Sequence, residues 1–416
     1  MATERSCEIL VAGAGPAGLA AGFCAAERGR SVLVVDDNPF TGGQIWRGRQ
    51  GEPVDEDAGR WLGLVLQVGA ELILGANIID HPAENALAVA TPEPLLIRYE
   101  KLIVATGARE LFLPFPGWTL PGVTGAGGLQ ALVKGGLEIE GKSVAVAGSG
   151  PLLLAVAGYL REHGARIEVI AEQAPLTRVA RFGLSLGARP AKLLQAMNLR
   201  QAAANYTTGC WPVEARRADG RLQVVFHTGR GSRTVECDYL ACGFGLVPNL
   251  ELPLLLGCET SGGFVAVDQW QESSVPGIYC AGELTGIAGV ESAVAEGQIA
   301  GYAAAGRQDE ARAHFSTRDD ARRFGERMKT AFALRDELRH LATPETIVCR
   351  CEDITTAELD GRPSWRSAKL HTRCGMGACQ GRVCGAATRY LYGWGPDSVR
   401  PPLVPIPLEN LAEPVD

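Results

Sequence analysis

Residues Gly13-Ala14-Gly15-Pro16-Ala17-Gly18 stand between two apolar runs, and few backbones need three glycines at that spacing. The run Glu8 to Ala12 (EILVA) is short, apolar and bounded by glycine, as a strand buried in a parallel sheet is. Leu19 to Arg28 then reads as a helix stopping at Gly29, and SVLVVDD reads as a second strand ending at Asp36. Strand, glycine turn, helix, strand and acid make a βαβ unit of about thirty residues. Gly13 permits the tight turn, and Gly15 lets backbone approach a pyrophosphate. Gly18 packs helix against strand, and the helix N-terminus offers unpaired N–H groups to the phosphates. Asp36, eighteen residues after Gly18, stands where a carboxylate accepts hydrogen bonds from an adenosine ribose, with Asp37 beside it.

The same order recurs. KSVAVAG leads into Gly148-Ser149-Gly150-Pro151, a helix from Leu152 to His163, the strand RIEVIA and Glu172. Gly13 and Gly148 are 135 residues apart, which predicts two nucleotide-binding domains of one ancestry. The second motif is degraded. Leu153 replaces the third glycine, where a side chain alters helix–strand packing or crowds a phosphate. Glu172 is expected where a 2′-phosphate would lie, and like charges there cost free energy. NADP is disfavoured. NAD, an adenine nucleotide such as ATP held as a structural ligand, and an empty vestigial site stay open.

Cysteine usage defines a third region. The start, MATERSC, has no basic segment followed by an apolar one, so a cytoplasmic location with reduced thiols is expected. Twelve cysteines then need a reason other than disulfides, and five of them (Cys349, Cys351, Cys374, Cys379, Cys384) fall within 36 residues. Cys7, Cys24, Cys210, Cys237, Cys242, Cys258 and Cys280 are read as isolated small core hydrophobes, and disulfide-reductase chemistry is not expected. The clustered five suggest an iron–sulfur centre, with a structural zinc and unliganded thiols as alternatives. Arg350, Arg373 and Arg382 would help hold four thiolates. Spacing does not choose the four, because Cys374/Cys379 and Cys379/Cys384 are both Cys-x4-Cys. The net charge of −7 has no dense basic run to bind nucleic acid, and no apolar run is long enough for a membrane helix.

Downstream turns indicate which dinucleotide the first unit takes. Ala105-Thr106-Gly107 follows LIVA, Ala281-Gly282-Glu283 follows GIYC, and Thr41-Gly42-Gly43-Gln44 forms a double-glycine turn. Together with Gly13-x-Gly15-x-x-Gly18, these resemble the two-dinucleotide-binding-domain flavoproteins over residues 7–305. The resemblance implies FAD, contacted by residues 13–18, Asp36, Asp37, Gly43, Gln44, Ala105, Thr106, Gly107, Gly282 and Glu283. In that family the acid after the last small pair is usually Asp, and here it is Glu283, one methylene longer. Gly148, Ser149, Gly150 and Glu172 would be the contacts if the second unit takes a nucleotide.

The C-terminal pattern CRCED…TRCGMGACQGRVCG resembles the [2Fe–2S] domain of bacterioferritin-associated ferredoxin. That resemblance implies Cys349, Cys351, Cys379 and Cys384 as ligands and leaves Cys374 a spare thiol. The whole chain resembles alpha subunits of heteromeric bacterial amine dehydrogenases, namely opine oxidases, proline and hydroxyproline dehydrogenases, and hydrogen cyanide synthase. The resemblance implies a partner, an amino-acid-oxidase-like flavoprotein beta subunit, with room for a further small one. The competing readings are a self-sufficient NADH-dependent reductase and a flavoprotein holding FAD and zinc without turnover. No catalytic residue is singled out, because the six histidines lie outside the flavin motifs.

The expected architecture is α/β. An FAD domain spans 1–112 and 250–305, and a second nucleotide domain spans 113–249. A helical connector covers 306–343, and an iron–sulfur module with a proline-rich strap covers 344–416. The charged connector is expected to be solvated on its exposed face.

Overall fold

The computed structural model describes residues 3–46, 56–186, 205–395 and 399–407. They form two compact units: residues 1–109, 248–326 and 398–416, and residues 110–247 and 327–397.

In the first unit Thr3–Ala12 is the central strand of a seven-stranded sheet. It pairs in parallel with Val32–Asp36 on one side and with Leu95–Val104 on the other. Alternation along EILVA sends Ile9 and Val11 into one apolar layer and Leu10 and Ala12 into the opposite one. Burial on both faces explains why this segment reads as an unbroken apolar run. The helix Pro16–Ala26 opens with proline, whose missing N–H costs nothing in a first turn. It lies against Val290–Ala304, a helix of small residues whose backbone comes very near. A Cβ on Gly297 would stand 2.2 Å from the Ala17 carbonyl oxygen, and one on Gly301 2.4 Å from that of Ala21.

The second unit repeats the plan. Tyr206–Thr208, Arg166–Glu172, Ser143–Gly148, Tyr239–Gly243 and Val123–Gly125 form a five-stranded parallel sheet in that order. The helix Leu152–Glu162 follows its glycine turn. An antiparallel sheet of Trp211–Ala218, Arg221–Thr228 and Gly231–Cys237 completes it. Residues 327–397 cluster with this unit, including the cysteine-rich segment: strand Ile347–Cys349, its partner Ile354–Thr355, and the helices Trp365–Thr372 and Cys384–Tyr392. Trp118 Nε1 donates to the Ile347 carbonyl at 2.6 Å, joining the nucleotide-type core to the cysteine segment.

Two expectations change. The charged connector forms helices Gln308–Arg312 and Phe315–Ala331, and the second is docked rather than wholly solvated. Arg318 is buried and donates to the Gln269 carbonyl at 2.7 Å, while Arg322 reaches the buried Glu296 carboxylate at 2.7 Å. Each guanidinium finds an acceptor in the first unit, and that offsets its desolvation. The proline-rich strap returns to the first unit, where Leu403 is buried and its N–H donates to the Ile79 carbonyl at 2.8 Å. Its residues 408–416 lie outside the described residues. Among the described residues no helix is long and apolar enough to cross a membrane.

Gly297→Leu tests the helix contact, since no rotamer removes a Cβ from the Ala17 carbonyl. The expected loss is about 3 kcal/mol or more, read as a lower denaturant midpoint at unchanged m-value.

Candidate functional site

At the first glycine turn three backbone segments meet. Gly13 has φ +111, and a Cβ there would stand 2.4 Å from the Ala105 carbonyl oxygen. A Cβ on Gly18 would fall 1.7 Å from the Gly13 carbonyl oxygen, so helix and strand touch through bare backbone. Gly15 faces Gly43, with 3.7 Å between its virtual Cβ and the Gly43 Cα, and Gly43 has φ +60. The Gly42 amide donates to the Ala14 carbonyl at 2.8 Å and ties the two turns together. Neither Gly15 nor Gly43 carries a side chain, which leaves a backbone-lined slot at the N-terminus of Pro16–Ala26. No side chain caps that end. This cradle, which a Cβ would fill, suits the diphosphate of a dinucleotide. Gln44 is exposed beyond the turn.

The two acids at the strand end divide the work. Asp36 is nearly buried and accepts from the Ala14 amide, from the Asn38 amide at 2.8 Å and from Asn38 Nδ2 at 3.1 Å. Asp37 is exposed and accepts from Asn38 Nδ2 at 2.7 Å. Asp36 was expected on the ribose. Its carboxylate accepts from the amides of the turn, and Asp37 is the exposed acid beside it.

The crossing turns are fixed in the same unit. The Ala105 amide donates to the Ala12 carbonyl at 2.8 Å, Thr106 Oγ1 donates to the Asn249 carbonyl at 3.2 Å, and the Asn249 amide donates to the Gly107 carbonyl at 3.0 Å. Gly282 has φ +79, and its virtual Cβ meets Ala17 Cβ at 3.0 Å. Glu283 is half-buried, and burial raises its carboxyl to about 6.

Glu296 was missed from sequence. It is 1% exposed and accepts from the Gly282 amide at 2.9 Å, Thr285 Oγ1 at 2.6 Å, Ser292 Oγ at 3.2 Å and Arg322 Nε at 2.7 Å. A buried carboxylate with four donors locks the Ala281-Gly282-Glu283 turn against the helix that carries it. The spacing of an acid in a small-residue helix was the available signal.

The second glycine turn keeps the positive φ of its first glycine but not the backbone of its second, since Gly150 has φ +92 where Gly15 has φ −77. Gly148 has φ +139, and its virtual Cβ lies 2.0 Å from the Gly243 carbonyl oxygen. Leu153 is fully buried and packs into the core above the sheet. Glu172 was expected to face a ligand phosphate, and it is 0% exposed. It accepts from the Gly150 amide at 2.7 Å, the Ala174 amide at 2.8 Å, and the Ser149 and Tyr206 hydroxyls at 3.4 Å each. Burial nonetheless raises its carboxyl to about 7. Ser149 Oγ donates to the Phe332 carbonyl at 2.8 Å.

Five thiols converge near the C-terminus. The Sγ atoms of Cys349, Cys374 and Cys384 lie within 4.8 Å of one another, all buried. Cys379 is half-buried and contacts Cys384 and Cys351, and Cys351 is exposed. S–H donors from Cys374 and Cys384, with the Gly375 and Glu352 amides, hold Cys349 well below the usual thiol range. Cys349 and burial push Cys374 up to about 12. A Cβ on Gly377 would stand 2.3 Å from Cys351 Cβ, and one on Gly375 2.5 Å from the Trp365 ring, so glycines let the loop close around the sulfurs. A soft, preassembled donor set of this kind fits a thiophilic metal centre. Cys374, expected to be spare, sits in the tightest trio.

Of the other cysteines, Cys237 and Cys242 are not isolated, since they share the Cys-x4-Cys spacing of a redox pair. Both are fully buried in the second unit's core, with thiols raised by burial, as befits packing residues. Cys258 and Cys280, distant in sequence, touch inside the first unit's core.

The match to known proteins follows this geometry. Residues 7–297 match the model of the pyridine nucleotide-disulphide oxidoreductases. The chain belongs to that family. It is an FAD-dependent oxidoreductase. It is 32% identical to the A subunit of opine oxidase from Rhizobium meliloti (strain 1021), over 98% of this chain and 99% of that one. It is 30% identical to hydrogen cyanide synthase subunit HcnB of Pseudomonas aeruginosa, over 96% and 97% of the two chains. Among solved structures, L-proline dehydrogenase from P. horikoshii superposes with a TM-score of 0.67 at 16% identity, covering 99% of this chain and 80% of that one. Thioredoxin reductase of T. acidophilum superposes with a TM-score of 0.56 at 20% identity, covering 73% and 98%. These two likenesses are of fold.

Glu296→Gln removes the charge that Arg322 and the Gly282 turn share. The expected result is purified protein with a lowered flavin-to-protein absorbance ratio and a loss of about 3 kcal/mol in unfolding free energy.

Glu172 predicts a pH dependence. Its folded value of about 7 lies above the ordinary 4.5, so the fold favours the protonated form. The stabilisation is full below the unfolded value and is lost as pH rises from 4.5 to about 7, on the order of 3 kcal/mol. Glu172→Gln should flatten the fall of Tm across that interval, whatever its effect on the absolute Tm.

Proposed function

We propose that this chain is the electron-transfer (alpha) subunit of a heteromeric amine, opine or amino-acid dehydrogenase. A separate amino-acid-oxidase-like flavoprotein subunit oxidises the C–N bond, and this chain carries the electrons onward to an acceptor. The observation that carries the reading is the buried convergence of Cys349, Cys374 and Cys384 in a chain whose first unit builds an FAD-type cradle. The full-length likeness to proteins named as subunits supports it.

The residues divide as follows. Residues 13–18, Asp37, Gly43, the Ala105-Thr106-Gly107 crossing and Gly282–Glu283 hold FAD, with Asp36 and Glu296 as positioning residues. Cys349 and Cys384, which belong both to the ferredoxin-like pattern and to the buried trio, are ligands of a [2Fe–2S] centre. Flavin supplies two-electron uptake and one-electron release, and an iron–sulfur centre supplies one-electron carriage. The chain's own part is to bind both and to keep water from the buried sulfurs of Cys349 and Cys384.

Iron and acid-labile sulfide, assayed on anaerobically purified protein, are expected at about two each per chain. Zinc with no sulfide would refute the centre. Cys384→Ser should abolish the iron signal while leaving the flavin absorbance in place. Coexpression with an amino-acid-oxidase-like subunit should give a stable complex whose flavin on this chain bleaches when an amine or amino acid is added. A complex that never forms across such partners would sink the subunit reading.

A further inference from the structure

Strand register aligns the two glycine turns at their first glycine, although Gly15 has φ −77 and Gly150 has φ +92. Gly148 pairs with Glu172 across the second sheet, and Gly13 donates to the Val35 carbonyl just past the Ala12–Val35 pair. Glu172 therefore corresponds to Asp36, and Gln173 to the outward acid Asp37. In the first unit Asp37 is exposed and Gly15 faces another glycine. In the second unit both positions are spent on the chain itself.

Gln173 is 0% exposed. Its Nε2 donates to Ser149 Oγ at 2.8 Å and to the Phe332 and Ala333 carbonyls at 3.4 Å each, and its Oε1 accepts from the Arg335 amide at 3.1 Å. Ser149 Oγ donates to the same Phe332 carbonyl. The Phe332 ring lies over Gly150, 3.8 Å from where a Cβ would stand, and meets Phe182 edge-on at 5.2 Å. Arg335 stacks over Trp211 at 5.0 Å, and its carbonyl accepts from Tyr390 of the cysteine-bearing helix Cys384–Tyr392 at 2.9 Å.

We infer that residues 332–335 are an internal strap filling the place a pyridine nucleotide would take in the second unit. The pyrophosphate needs bare backbone at Gly150, and an aromatic ring covers it. The ribose needs the side chain at position 173, and the strap's carbonyls and amide satisfy that side chain completely. The turn, the amide and the hydroxyl that would recognise a dinucleotide recognise the chain instead. Through Arg335 and Tyr390 the same strap braces the helix that begins at Cys384. The second unit is thus a self-ligated scaffold for the thiol group, and NAD(H) binds only by lifting the strap.

This goes beyond the electron-transfer reading and is tested apart from it, because the readouts below need neither partner subunit nor amine. The full chain with FAD bound is titrated with NADH and with ADP-ribose by calorimetry. No saturable binding is expected at millimolar ligand, and one-to-one saturation by either would overturn the strap. Hydrogen exchange by mass spectrometry then compares wild type with Phe332→Ala. Peptides covering 148–153 and 332–335 should exchange ~10-fold faster together, the effect of about 1.4 kcal/mol of lost protection. Peptides covering 9–26 should not change. Unchanged exchange at 148–153 would refute the cover. If Phe332→Ala fails to fold, Ser149→Ala removes one hydroxyl only and must still speed exchange at 332–335. Failure there overturns the inference as well.

Discussion

The first unit depends on a backbone-to-backbone contact at Gly13. Its carbonyl lies where any side chain on Gly18 would be, and its own Cα faces the Ala105 carbonyl. Helix, central strand and crossing chain thus meet at van der Waals distance without a side chain among them. That nearness sets the helix N-terminus over the sheet edge and opens the slot facing Gly43. It also explains why the acids nearby are placed as they are. Asp36 accepts from the amides of the turn, and its neighbour Asp37 is the exposed acid. Glu296 holds the far turn through the helix that packs on Pro16–Ala26.

The second unit shows the same frame under a different use. Gly148, like Gly13, keeps a positive φ, because the passage from strand into turn demands it whether or not a ligand binds, whereas Gly150 has φ +92 where Gly15 has φ −77. The side chains around the turn have changed partners. Leu153 fills the core, Glu172 turns inward, and Gln173 and Ser149 hold the chain that leads to the thiols. Burial of Glu172 against its own amides is a structural arrangement, and its raised carboxyl is the electrostatic trace of that burial. The charged connector takes part in the same contacts, since Arg322 satisfies Glu296 and so supports the Gly282 turn from a distance in sequence.

Much of this was legible in the sequence. Strand alternation, glycine spacing and the order of turns marked both nucleotide-type sheets and the small-residue turns of the first unit, because each rests on short-range backbone geometry. Clustered cysteines in a chain read as cytoplasmic marked the thiol group for the same local reason. The sequence could not decide which of two adjacent acids faces outward, since that depends on which amides the fold brings to them. It could not find Glu296, whose donors come from three elements. It could not rank five thiols, because Cys374 enters the buried trio only when the segment after Trp365–Thr372 joins the small core that holds Cys349 and Cys384. Nor could it show Phe332 on Gly150, a contact between residues 182 positions apart. Local backbone demands are written in residue type and spacing. Partners for buried polar groups are chosen by packing, and only the tertiary structure makes that choice.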